Sequence, residues 1–299
     1  MMCRRRQGEA FVLTDDMIGR PSGTSVRTWT ADESALYALA VGAGVDPRLH
    51  EASLAVGDGF ALPTLVCLLG LVDTPDEYIP DPVRMLHGEQ SLVMHAALPA
   101  AGACRSRARI ADVVDKGRDA LVVVETEVEA NGAPLATLRS TIFLRGAGGF
   151  SDHARRPIAP ASPAHADPVP VVRLRTTLGH EQALLYRLTG DRNRLHWDTA
   201  FAASAGFDRP ILHGMCTFGV AGRLLMHEFA EGRPERIKAF SARFSRPVFP
   251  GDELSVEAWP TGEGTYGFRA LRPGGEVVLS RGRLDVAGPG DRAQGWDRS

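Results

Sequence analysis

The stretch Gly214-Met215-Cys216-Thr217-Phe218-Gly219-Val220-Ala221-Gly222-Arg223-Leu224-Leu225-Met226-His227-Glu228-Phe229-Ala230 is apolar on nearly every side. A helix without a polar face is a buried one. Pro210 precedes it, and strand-like runs follow at 237–244, 252–259, 265–271 and 276–286. Pro250-Gly251, Gly262 with Gly264, and Pro273-Gly274-Gly275 break those runs. One buried helix followed by an antiparallel meander predicts an α+β layout, a sheet wrapped around a helix.

The first half of the chain repeats this order. Residues 31–41 have a helical pattern with Asp32 and Glu33 in its first turn. Pro63 opens a second helical stretch, 64–72, apolar nearly all round, and strand-like runs follow at 86–94, 102–114, 120–130 and 134–144. Asn131-Gly132 between two alternating runs is a hairpin signal. Between the halves, Gly146-Ala147-Gly148-Gly149 opens a stretch carrying Pro157, Pro160, Pro163, Pro168 and Pro170. Such runs favour extended linkers. The reading is therefore two tandem domains, 1–150 and 171–288, a linker at 151–170 and a polar tail at 289–299.

Composition excludes several functions. The 299 residues are 44% hydrophobic and 23% charged, with 34 basic against 36 acidic residues and a net charge of −2. That balance gives no electrostatic reason to expect nucleic acid or a polybasic membrane surface as partner. No apolar run approaches the ~20 residues of a membrane span. The basic start, Met1 to Arg6, is followed by Gln7-Gly8-Glu9 and not by the apolar stretch of a secretory signal. The end, Trp296-Asp297-Arg298-Ser299, is no lipidation or peroxisomal signal. Cys3, Cys67, Cys104 and Cys216 are scattered without metal-site or disulfide spacing. A cytoplasmic protein with reduced thiols is expected.

The chemistry concentrates between Tyr186 and Gly219. Asp191, Asn193, His196, Asp198, His213 and Gly214 fall in a short stretch beside the buried helix. Asp191 and His196 lie five apart, which fits neither one helix face nor one strand face. On a loop the two can converge on one atom, as moving a proton on and off a small substrate requires. The ordinary alternative makes Asp191 a turn cap, His196 a core residue and Asp198 an N-cap. A core position is expected for His213, and close helix–strand packing is the alternative for Gly214. Spacing of His196, His213 and His227 does not suggest a metal site.

The order of residues goes further. G-D-x-N-x-L-H at 190–196, followed by A-x-x-A-G-F-x-x-P-I-L-H-G at 202–214, resembles the signature of the MaoC-like, (R)-specific enoyl-CoA hydratases. The layout resembles their two-domain type, the hydratase domain of peroxisomal multifunctional enzymes. Tyr37–Gly42, Leu62-Pro63-Thr64, Leu86–Gln90, Asp115-Lys116-Gly117, Arg145–Phe150, Ala242-Arg243-Phe244 and Pro247–Gly251 extend the resemblance over roughly residues 30–287.

The resemblance implies a double hot-dog fold, each half a long helix enclosed by an antiparallel sheet, with the sheets joined edge to edge. It implies addition of water to a trans-2-enoyl-CoA to give the (R)-3-hydroxyacyl-CoA, or the reverse dehydration, with no cofactor and no metal. Asp191 and His196 would hold the water, Asn193 would orient the water or the Asp191 carboxylate, and Gly214 would present its N–H to the thioester oxygen. His87, Gly88, Lys116, Arg192, Arg194, Leu195 and Phe244 are the expected acyl-CoA contacts. The first half, which lacks G-D-x-N-x-x-H, would accommodate the acyl chain, with Asp46, His50 and Glu51 at the surface or along the tunnel. Arg194 stands where the family has proline, either loosening the loop or adding charge near the CoA path. Trp197 is expected to narrow the site, and Ser151-Asp152 replaces glycines. Dehydration of a specialised or carrier-protein-bound thioester and a non-catalytic acyl-binding role are the alternatives. A thioesterase would need an acidic residue on the buried helix, and 217–226 holds none. Monomer, as a pseudo-dimer, and homodimer both fit a two-half chain.

Overall fold

The computed structural model describes residues 13–72, 85–150 and 169–288. The expected linker, apart from its last two residues, the polar tail and Ser151-Asp152 lie outside them. Among the described residues, ten strands form one antiparallel sheet. In chain order they are β1 (Pro21–Trp29), β2 (Met85–Met94), β3 (Gly102–Asp115), β4 (Ala120–Ala130), β5 (Ala133–Leu144), β6 (Val172–Thr177), β7 (Ile237–Phe244), β8 (Glu253–Gly262), β9 (Thr265–Arg272) and β10 (Glu276–Val286). Their spatial order is β1-β3-β4-β5-β2-β7-β10-β9-β8-β6. Each strand of the first half thus corresponds to the strand five later, and the halves meet where β2 pairs with β7. Ser91 opposes Ser241 at the centre of that seam, flanked by Leu92 opposite Phe240 and Gln90 opposite Ala242. This is a double hot-dog arrangement.

Among the described residues six α-helices accompany the sheet: α1 (Ala31–Ala40), α2 (Ala52–Val56), α3 (Val66–Leu69), α4 (Gln182–Leu188), α5 (Thr199–Ser204) and α6 (Gly214–Ala230). Thr30 and Glu33 close a capping box at the start of α1, which satisfies two donors the helix leaves open. Between β4 and β5, Asn131 and Gly132 both take positive φ, 52° and 78°, as the tight hairpin turn predicted there requires.

The second-half helix, α6, has the bounds its sequence predicts, but the first-half helix does not. Instead of a helix over 64–72 there is a single turn at Pro63–Leu65 and the short α3, which stops at Gly70. A Cβ at Gly70 would lie 2.3 Å from Leu138 Cδ1, so the backbone is pressed onto the sheet where a longer helix would have continued. The edge strands β1 and β6 and the helix α4 go unforeseen by the sequence reading.

α6 sits at the centre of the core with both halves packed on it. Gly219 and Gly222 share one face, since residues three apart are neighbours on a helix. A Cβ at Gly219 would meet Val41 and Tyr37, and one at Gly222 would meet Thr64 and Phe240. The two glycines let the first half approach the helix backbone directly. Behind them Phe218 packs tilted against Phe240, with centroids 4.6 Å apart, and Phe240 stacks on Phe268 at 5.0 Å.

Candidate active site

The loop between α4 and α5 is folded by its own short polar side chains. Gly190, at φ 128°, turns the chain out of α4. The Asn193 N–H donates to Asp191 Oδ1 at 3.1 Å, and the Leu195 N–H donates to Asn193 Oδ1 at 3.0 Å. Such side-chain-to-backbone bonds replace a regular ladder in a tight loop. They consume the Asn193 carbonyl, leaving its NH2 group as the available donor. Asp198 then caps α5 through the Phe201 N–H at 3.0 Å, as the capping alternative expected for it. This loop carries His196 inward on a single helical turn, Arg194–His196.

The His196 ring is held by two contacts. Its Nδ1 lies 3.0 Å from the Ile211 carbonyl oxygen, and its face stacks on His213 with centroids 3.7 Å apart and planes at 29°. A carbonyl only accepts, so Nδ1 carries the proton and, in the neutral ring, Nε2 is a bare base. Burial lowers the His196 pKa from its ordinary 6.5, against the opposing influence of the Ile211 carbonyl and of Asp191. The ring is neutral at pH 7. His213 in turn donates from Nε2 to the Asp191 carbonyl oxygen at 3.2 Å.

At the start of α6 the His213 side chain makes no capping bond. The N–H groups of Cys216 and Thr217 reach back to the His213 carbonyl. Those of Gly214 and Met215 find no acceptor among the described residues. The site thus has two unengaged amide donors at the positive end of a helix dipole. A Cβ at the first of them would lie 3.2 Å from Phe244 Cδ1, so any side chain there would push the Phe244 ring aside by a few tenths of an ångström.

All of this opens on one cavity of about 970 Å³ between the halves. The second half contributes Asp191, Asn193, Leu195, His196, Gly214 and Phe244, and the first half contributes His87, Gly88 and Lys116. Leu86, Leu121, Phe143, Met215 and Val248 give it an apolar lining. His87 packs on Phe244 at 4.9 Å; burial pushes its pKa down to about 4, and its Nε2 is buried without a partner. Lys116 is positioned by the β3–β4 turn, where Asp115 Oδ1 accepts the Gly117 and Gly149 N–H groups. Those bonds pin the glycine-rich stretch after β5 against the turn.

The comparisons bear on this geometry. Residues 28–146 match the MFE-2 hydratase 2 N-terminal domain, and residues 161–270 match the MaoC like domain. The chain is 38% identical over 283 residues to 3-hydroxyacyl-thioester dehydratase Y of Mycobacterium tuberculosis, a match covering 92% of this chain and 97% of that one. The chain belongs to the MaoC-like hydratase family. Among solved structures, the MaoC-like dehydratase from Phytophthora capsici superposes with a TM-score of 0.79 at 30% identity, covering 91% of this chain and 97% of that one. Peroxisomal multifunctional enzyme type 2 from Drosophila melanogaster gives a TM-score of 0.75 at 34% identity, covering 89% of this chain. The match covers 48% of that longer enzyme.

Within this MaoC-like hydratase, some expected residues lie elsewhere. Arg192 and Arg194 do not line the cavity. Arg194 turns outward to pair with Asp198 at 2.6 Å and to cover Phe201, a contact that ties the loop to α5. Trp197 is 40% exposed under the Arg187 guanidinium and does not narrow the site. Asp46 caps a surface turn through the Arg48 N–H. Glu51, expected at the surface or tunnel, is fully buried against Arg223 and His227.

Sequence reading did not single out Arg145, Arg246 and Arg281 as ligand contacts, although all three line the cavity with Lys116 and Arg243. Arg281 reaches it through a positive φ of 51° within an irregular stretch of β10, which no spacing rule reveals. Spacing also hid the approach of His213 to His196. Asp191, His196 and His213 offer atoms within 4.8 Å of one another. Of the two His213 ring nitrogens, Nε2 is already engaged by the Asp191 carbonyl. No described helix is long and apolar enough to cross a membrane.

Proposed function

We propose that the protein hydrates trans-2-enoyl-CoA to the (R)-3-hydroxyacyl-CoA and catalyses the reverse dehydration. The observation that carries this reading is the placement of an Asp191 carboxylate, a bare His196 Nε2 and the free Gly214 N–H on one cavity. Asp191, His196 and the Asn193 NH2 hold one water. As its oxygen bonds Cβ, His196 Nε2 accepts a proton and Asp191 stabilises the imidazolium. The electron pair of the C=C bond moves toward the thioester, whose oxygen takes the negative charge against Gly214. A proton returned to Cα from the same face completes the addition of H and OH. Donors fixed in advance for such an oxygen are typically worth about 3–4 kcal/mol.

Lys116, Arg145, Arg243, Arg246 and Arg281 support a coenzyme A ester, which brings a diphosphate and a 3′-phosphate. A carrier-bound pantetheine brings one phosphate. The test follows loss of enoyl-thioester absorbance across chain lengths, with the product's stereochemistry determined. Asp191→Asn and His196→Gln are expected to abolish turnover while leaving the thermal transition in place. Near wild-type turnover in either variant, or an (S) product, would sink the assignment.

A further inference from the structure

We propose that His213 is a positioning residue for the Asp191–His196 pair, fixing the main chain of one and the ring plane of the other with a single imidazole. The inference rests on the hydratase reading above. His213 does not line the cavity and is 1% exposed, so it acts through its neighbours.

Three observations carry it. The position is the N-cap of α6, where Ser, Thr, Asp or Asn ordinarily accepts a bond from the first helical turn. His213 makes none, and its ring swings back over the catalytic loop. There Nε2 donates to the Asp191 carbonyl, one face lies on His196, and the Tyr186 ring packs 4.8 Å away. Finally, its Nδ1 is buried with no partner. A buried polar atom without a partner costs free energy that an apolar ring of similar shape would avoid. Packing alone therefore does not explain a histidine here, whereas its N–H and flat face do.

Both contacts constrain what is otherwise loose. Gly190, immediately before Asp191, has open space where a side chain would stand, so the loop lacks a steric stop on that side. The bond to Ile211 leaves the His196 ring free to swing about the N–H···O direction, and the stack removes that freedom. Forgoing the cap also leaves the N–H of Met215, the second helical residue, open to a ligand.

The test compares His213→Asn with His213→Phe. Asparagine is a good N-cap but removes the ring and competes for the first-turn donors. Its thermal midpoint is expected to equal or exceed that of the wild type, while kcat for crotonyl-CoA falls about 100-fold and KM changes by less than about 3-fold, the scale of a 1 Å misplacement. Phenylalanine keeps the stack and loses the donor, so a smaller loss, about 10-fold in kcat, is expected. Independently of turnover, ring-nitrogen NMR is expected to show His196 in its Nδ1–H form in the wild type and in His213→Phe. In His213→Asn it is expected to show a mixture of tautomers. Unchanged His196 signals in His213→Asn, or kcat within twofold of wild type in both variants, overturns the proposal. A wild-type protein that hydrates no enoyl thioester instead overturns the hydratase reading, and the NMR comparison still decides the role of His213.

Discussion

Gly214 combines two demands at one atom, an N–H aimed at the cavity and no side chain between that N–H and Phe244. Gly214→Ala places a methyl group 3.2 Å from the Phe244 ring. A displacement of the thioester by ~1 Å is expected to cost about 100-fold in kcat, read by steady-state kinetics against a nearly unchanged melting temperature. The buried histidines set the pH response. His87 and His213 are held at about 4 by burial, and His196 is also lowered from 6.5. Between pH 6.5 and 4 the unfolded chain binds protons that the folded chain refuses. Their contribution to stability is complete above 6.5 and is lost as pH falls toward 4. Urea midpoints at pH 7.5 and pH 5 check this, with the lower value expected at pH 5. The acid limb of kcat/KM is expected below pH 6.5, because His196 must be neutral to accept a proton. At this scale the meeting of Asp191, Asn193 and His196 at one cavity is legible because their loop is folded by contacts two or three residues apart, and that of Gly214 because it opens α6. Arg192 and Arg194 are not, since a charge in a sequence carries no direction.

α6 is clamped across the molecule by ionised groups. Arg223 Nη1 reaches both Glu51 oxygens at 2.7 and 2.9 Å, and Nε reaches the Val41 carbonyl. The Gly44 N–H and His227 complete the shell around the carboxylate. Burial alone would raise the Glu51 carboxyl, but His227, Arg223 and Gly44 together hold it below the ordinary range. Removing one member leaves an uncompensated buried charge. Glu51→Leu is expected to destabilise by about 3–5 kcal/mol, and Glu51→Leu with Arg223→Met to recover most of that in denaturant titration. The sequence reveals α6 because a long apolar run has one reading, and the hairpin strands because Gly and Asn punctuate them. It does not reveal where α3 stops. The stretch 64–72 remains apolar past Gly70, and the close approach of Leu138 and Val128 from the sheet at the C-cap Gly70 is not visible in it. Glu51 was misplaced for a similar reason, since its partner lies 172 residues away.

Across the whole molecule, the seam between β2 and β7 turns two half-sites into one. Lys116 and Arg145 come from the first half, and Arg243, Arg246 and Arg281 from the second. KM for enoyl-CoA is expected to rise with salt, because exposed charge pairs weaken as the screening length shortens from about 10 Å at 0.1 M to 3 Å at 1 M. A short enoyl-pantetheine thioester, which lacks the phosphates, is expected to show a nearly flat KM over the same range.

The correspondence between the halves has a limit at one atom. The helical turn that precedes β2, as α6 precedes β7, begins with Pro63, whose nitrogen bears no hydrogen. At the position where Gly214 leaves an N–H open to the cavity, the first half has none. Installing an aspartate and a histidine beside that turn would therefore not create a twin centre. A tight-binding inhibitor is expected to saturate the chain at one equivalent, however closely its two ends resemble each other.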